Sequence, residues 1–183
     1  MIFSDQVESL TGITISANGT NPTNDQLTQY LKDGVMDVTA KWITGHPQDT
    51  EDFQIASSEY TANDSYSPKG TIVSVVRESG TNNDWRPCRK ISLAQQAVVL
   101  DTESLSFSSK YHPTYMVEDN GKISVFPVAA VGGADSFKVY YINNDPNNTD
   151  NAELVHSMSD IRFFPTDKVH LVVLYAAVKS INN

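Results

Sequence analysis

Residues 165–183, PTDKVHLVVLYAAVKSINN, have the length of a helix but no continuous polar face. At about 100° per residue, Val169, Val172, Val173 and Ala176 share one side, while Leu171, Leu174, Tyr175 and Val178 line the other. A helix on the surface of a small domain needs only one apolar stripe, so the second points to another protein. The bulkier face, Leu171, Leu174 and Val178, is expected to fill the chain's own core. The thinner face, Val169, Val172, Val173 and Ala176, is then the expected subunit or portal interface. Only Leu171 to Val178 is clear of charge or imidazole, far short of the roughly 20 apolar residues that span a bilayer, so no membrane is expected.

A capped helix is written near the start of the chain. Thr23 and Gln26 form a capping box, Leu27, Leu31, Val35, Val38 and Trp42 make one stripe, and Gly45 and Pro47 end it. Gly34 sits inside at a cost of about 1 kcal/mol relative to Ala, either because close packing needs it or as a tolerated defect. A shorter helix is expected over residues 3–12, with Ser4 and Asp5 near its start and Gly12 as its stop. Turn-rich text at 18–22 links the two.

The middle of the chain carries strand signals. After a polar stretch from Gln48 to Lys69, expected as a long loop, the β-branched run Thr71–Arg77 reads as a strand. A turn at 80–84 leads to a returning strand in 85–92, which Pro87 places at an edge or bulge. Ser92 and Gln95 match a second capping box before a brief helix ending at Leu100. Thr114–Glu118 and Lys122–Phe126 flank Asp119-Asn120-Gly121, predicting a hairpin with a two-residue turn at Asn120 and Gly121. Ser136–Ile142 follows a Val131-Gly132-Gly133 turn and completes an expected meander, then 143–151 is another polar loop. The fold class is α+β, with end helices packed around a central antiparallel meander or hairpin region. No domain break is visible, so 1–183 reads as one domain with protruding loops or a hairpin arm.

Candidate chemistry is sparse. His46, His112, His156 and His170 show no metal-ligand spacing, and Cys88 has no second cysteine beside it, so neither a zinc site nor an internal disulfide is expected. Cys88 lies between Pro87 and Arg89, and adjacent cations could lower its thiol pKa; a small strand residue is the simpler reading. Carboxylates such as Asp49, Glu51, Asp52, Asp101 and Glu103 read as solvated surface, and no calcium loop is formed by 63–67 or 145–150. Tyr111, Tyr115, Phe126, Tyr140 and Tyr141 could build a stacking platform for sugars or bases, but strand spacing favours core. No phosphate-binding or nucleophile-elbow motif is present. Catalytic, cofactor-binding and metal residues are therefore all expected to be none, and the chain no enzyme. MIFSDQVESL lacks the pattern of a signal peptide, and the Asn-Xaa-Ser/Thr triplets read as chance in Asn-rich loops. The net charge of −9 opposes attraction to phosphate backbones.

Three segments together, DQLTQYLKDGVMDVTAKW, SSKYHPTYMVEDNGKISVFP and IRFFPTDKVHLVVLYAAVKSI, resemble small virion proteins of tailed bacteriophages. The likeness is to marine-phage proteins of the head-to-tail connector, or adaptor, type, whose "FP" dipeptide before the last helix is matched by Phe164-Pro165. The resemblance implies a homo-oligomeric ring, twelve subunits in that family, lying in the virion neck beneath the portal after assembly in the bacterial cytoplasm. It implies as partners the portal protein, a tail tube or nozzle protein, and duplex DNA that passes without tight binding. Such proteins often continue past this helix with a charged tail, where this sequence ends at Asn183. A tail-fibre or capsid decoration protein with a carbohydrate-binding β-sheet is the alternative, and would predict a trimer.

Overall fold

The computed structural model describes residues 1–17, 22–60, 66–80, 84–128, 136–143, 146–148, 150 and 152–182. The turns expected at 18–22, 80–84 and 131–133 and the loop at 63–67 lie wholly or largely outside them, and of the loop at 143–151 residues 143, 146–148 and 150 are described. Two compact units are present, one formed by Met1–Phe53 with Asn144–Asn183, the other by Gln54–Asn143.

The first unit is helical. Its α1 (Phe3–Thr11) ends where Gly12 takes φ +70° and its N–H donates to the Glu8 carbonyl, a left-handed stop that glycine adopts without strain. The capping box at the head of α2 (Asn24–Gly45) forms as the sequence indicates. Gln26 N–H donates to Thr23 Oγ1 at 3.3 Å, and Thr23 N–H to Gln26 Oε1 at 2.8 Å. A 3₁₀ turn over Pro47–Phe53 brings the Phe53 ring edge-on to Phe164, with centroids 5.4 Å apart. The segment before the last helix is tied down by Phe3 N–H donating to Met158 O and Ser4 N–H to His156 O. Phe163 then takes a left-handed φ of +55°. Pro165 starts a 3₁₀ turn at Thr166–Lys168 that runs into the terminal α-helix, Val169–Ile181. The core joins Phe3 and Val7 to Leu27, Leu31 and Val35, and closes on Val172, Val173, Ala176 and Ala177. Each such side chain contributes about 1.5–3 kcal/mol on burial when large, less for alanine.

That core reverses the expected faces of the terminal helix. Val172, Val173 and Ala176, read as the subunit or portal interface, are buried within their own unit, and Val169 is half-buried against the same cluster. Leu174 and Val178 are instead 45% and 56% exposed. The physical reason is close helix packing. A Cβ placed on Gly34 of α2 would lie 3.0 Å from Tyr175 Cδ1 and 3.3 Å from Val172 Cγ1, so the two helices approach through a residue without a side chain. The space a side chain at position 34 would take is filled by the Tyr175 ring and Val172.

The second unit holds two sheets. In the first, β1 (Gln54–Ala56), β2 (Gly70–Glu78) and β3 (Trp85–Pro87) combine with a late strand, Phe137–Asn143, in the order β1, Phe137–Asn143, β2, β3, all antiparallel. Pro87 sits on the edge strand, where its missing N–H costs no ladder bond. The chain then crosses at Cys88 into the second sheet. There β4 (Arg89–Lys90) pairs in parallel with β5 (Thr114–Val117), which pairs antiparallel with β6 (Ile123–Phe126). Between them lie Leu93–Gln95, capped by the Ser92/Gln95 box, and α3 (Gln96–Leu100).

Three expectations change here. The late strand, numbered β7, joins β1 and β2 and does not extend the β5–β6 hairpin, so no meander forms. The stretch 48–69 is not all loop, because Gln54–Ala56 adds an edge to β7 and Phe53 enters the helical core. The hairpin turn is longer than two residues. Glu118 N–H donates to Lys122 O at 2.7 Å across a 3₁₀ turn Asp119–Gly121, in which only Gly121 of the two expected positions has positive φ, +76°. This is the three-residue loop in which a right-handed turn is followed by one left-handed glycine.

Val75, Tyr115, Ile123, Val125, Phe137 and Val139 bury one another between the two sheets. Arg77 is fully buried beside them, and its guanidinium donates to the Pro127 and Glu78 carbonyls at 3.0 and 2.8 Å.

Candidate subunit-contact surface

Burying the small face of the terminal helix, α4 (Val169–Ile181), leaves its large face outside. On α4 the spacing of Leu171, Leu174, Tyr175 and Val178 is i, i+3, i+4, i+7, which aligns them in one row. The facing row on α2 is Val38, Lys41 and Trp42, with His46 just past its end. Together with Lys179 they line an open groove of about 450 Å³, wholly within the helical unit. Tyr175 stands at one end of it, with its ring against Gly34 of α2.

The groove floor is held in place. Trp42 Nε1–H donates to Asp49 Oδ2 at 2.8 Å, and the ring stacks on His46 with centroids 4.6 Å apart. The buried Lys168 ammonium lies 4.9 Å from the same indole centroid, close enough for a cation–π contact. Lysines stand at the rims. Lys41 Nζ donates to Asp37 Oδ2 at 2.7 Å, and this hydrogen bond raises the Lys41 pKa above its ordinary value. Lys179 Nζ stands 5.6 Å from the Tyr175 ring centroid. No carboxylate lines the groove itself.

The other candidates stay apart. His156 meets Thr28, whose Oγ1 accepts from His156 N–H at 3.1 Å, while His170 Nδ1 lies 2.8 Å from Asp167 O. Among the described residues no three His, Cys, Asp or Glu side chains are grouped to hold a metal ion. Tyr115 and Phe126 are buried and Tyr140 and Tyr141 half-buried, whereas Tyr111 is exposed with Lys110 and Arg86 over its ring. No helix among the described residues is long and apolar enough to cross a membrane.

The lowered thiol pKa weighed for Cys88 as the lesser reading has the opposite sign in the structure. Burial pushes its thiol from the ordinary value of 9.0 up to about 12, and the charge of Arg77 only partly opposes this. Neighbours in sequence do not set the thiol's field; desolvation does. The raised pKa means the folded state holds this proton, so the associated stability is present below pH 9.0 and is lost as pH climbs toward about 12. At about pH 8, alkylation of Cys88 in the folded chain is expected to be roughly a hundredfold or more slower than in denaturant. Equal rates by mass spectrometry would show an accessible thiolate.

Sequence reasoning missed one further surface. Leu93, Val98, Leu100, Leu105 and Phe107 are all exposed around α3 and the loop after it. The available signal was Leu105, a lone large apolar residue in the polar run DTESLSFSS.

No protein-family model matches this chain, and no curated protein is similar to it.

Proposed function

We propose that this chain is a structural subunit that assembles into a closed ring, in the neck of a tailed phage, joining portal to tail while DNA passes through. The observation that carries the reading is the open apolar groove between α2 and α4. Exposed Leu174 and Val178 form a contiguous patch with half-buried Trp42 and Tyr175, and such patches mark protein interaction sites. The net charge of −9 suits a channel wall past which a duplex must slide without adhering. The resemblance of the three segments supplies the phage setting and the count of twelve. The carbohydrate-binding alternative would use an aromatic platform on the strands, and Tyr115 and Phe126 are spent on the core.

Assembly tests this directly. Mass photometry over a concentration series, followed by electron microscopy, is expected to show monomer giving way to closed rings, either alone or on portal rings. Leu174→Lys should abolish the rings while circular dichroism keeps the wild-type helix signal. An obligate trimer unaffected by Leu174→Lys would overturn the reading in favour of the fibre or decoration role.

A further inference from the structure

The groove's occupant must offer apolar side chains to its floor, and negative charge suits the Lys179 rim, Lys41 being already paired with Asp37. One segment of the chain has that complementary pattern. In Asp101–Phe107, DTESLSF, Leu105 is fully exposed at the tip, Phe107 is exposed behind it, and Asp101 and Glu103 lie just upstream. The loop is shaped in advance. Ser104 N–H donates to Asp101 O and Phe107 N–H to Ser104 O, both at 3.0 Å, giving two successive turns. Glu103 N–H donates to Asp101 Oδ1 at 3.0 Å, and Ser108 N–H anchors the base on Val99 O at 2.9 Å. A knob held by its own hydrogen bonds loses little freedom on docking.

We propose that Leu105 of one copy seats in the α2/α4 groove of the next copy, with Asp101 and Glu103 facing the Lys179 rim. The inference rests on the ring reading and names its contact. Because knob and groove are different surfaces, the contact is heterologous, the kind that repeats around a ring when its rotation closes. An isologous pairing of groove on groove would instead bring two lysine-rimmed grooves together with no carboxylate in either lining. Pairing between exposed charges also makes the contact weaken with salt.

Two variants separate these cases. Leu174→Lys blocks the groove and leaves the knob; Leu105→Asp blocks the knob and leaves the groove. Both positions are exposed, so circular dichroism should match wild type. Each variant alone is expected to stay monomeric, and their equimolar mixture to give dimers and nothing larger. A second measurement uses Leu105→Cys in one copy and Leu174→Cys in another, with half-buried Cys88, whose thiol pKa is raised, contributing little background; oxidation should join the two variants in mixture and neither to itself. If wild type and Leu105→Asp form the same rings, the knob is overturned and the ring reading stands. If wild type never assembles, alone or on portal rings, the ring reading falls with it. A small apolar molecule retained in the groove at full occupancy, seen by native mass spectrometry, would also overturn the proposal.

Discussion

Val172→Lys is expected to unfold the helical unit, not to block assembly in an otherwise intact chain. Val172 is 0% exposed, and its Cγ1 lies 3.3 Å from the place where any Cβ on Gly34 would stand. A lysine there places its ammonium among the apolar side chains of the helical core. An unpaired buried charge costs about 3–5 kcal/mol, a large share of the roughly 5–15 kcal/mol that holds a domain together. Leu174→Ala lies at the other extreme, because Leu174 is already 45% exposed and its loss leaves no closed cavity. That change should cost less than about 1 kcal/mol, against about 2–5 for a buried leucine. The two tryptophans make the measurement local, since Trp42 belongs to the helical unit and Trp85 to the sheet unit. Urea unfolding followed by Trp42 fluorescence in a Trp85→Phe background should show the loss for Val172→Lys alone. A stable, folded Val172→Lys would return that face to the interface.

The reversal of those faces shows where sequence reasoning runs out. Caps are local chemistry, so Thr23 with Gln26, Ser92 with Gln95 and the stop at Gly12 are all legible from neighbours within four residues. A helix apolar on both sides does not say which side is inside; that depends on the partner helix. Gly34 is one point of that long-range contact, about 140 positions away in sequence from Val172 and Tyr175, which it meets. Pairing between distant strands is hidden for the same reason. Ile55 faces Tyr141, and a three-residue strand such as Gln54–Ala56 is too short to show alternation. The hairpin was legible in its two strands and in Gly121. The length of its loop was not, because Asn-Gly is compatible with both two- and three-residue connections. The two-unit division was masked by topology, since the helical unit is closed from both ends of the chain and interrupted by the whole sheet unit. The candidate groove follows from the same long-range packing, so its residues were visible only as two separate stripes.

Phe137→Ala is the matching expectation for the sheet unit, with a loss of about 3–5 kcal/mol. Phe137 is 0% exposed at the start of β7, where its N–H donates to Tyr60 O at 2.7 Å and its carbonyl accepts from Tyr60 N–H at 2.9 Å. Alanine keeps both backbone bonds, so the ring alone is tested. That ring packs between Tyr60, 6.0 Å away by centroids, and the hydrophobic cluster of Val75, Val125 and Val139. Deleting it leaves a cavity whose walls are strands on both sheets and so cannot readily collapse. Phe137 also faces Arg77 in the ladder, and the buried guanidinium keeps its carbonyl partners only while that corner stays closed. Water admitted to the cavity would solvate Arg77 and recover part of the loss, which places the expected cost nearer the lower end. Phe137→Leu keeps most of the volume and should cost less than about 1.5 kcal/mol. Trp85 reports on this unit through β3, which pairs Trp85 with Glu78 one position beyond Arg77. Urea midpoints read from Trp85 in a Trp42→Phe background should fall steeply for alanine and slightly for leucine. Equal midpoints for the two would mean that the ring's volume is not what joins the two sheets.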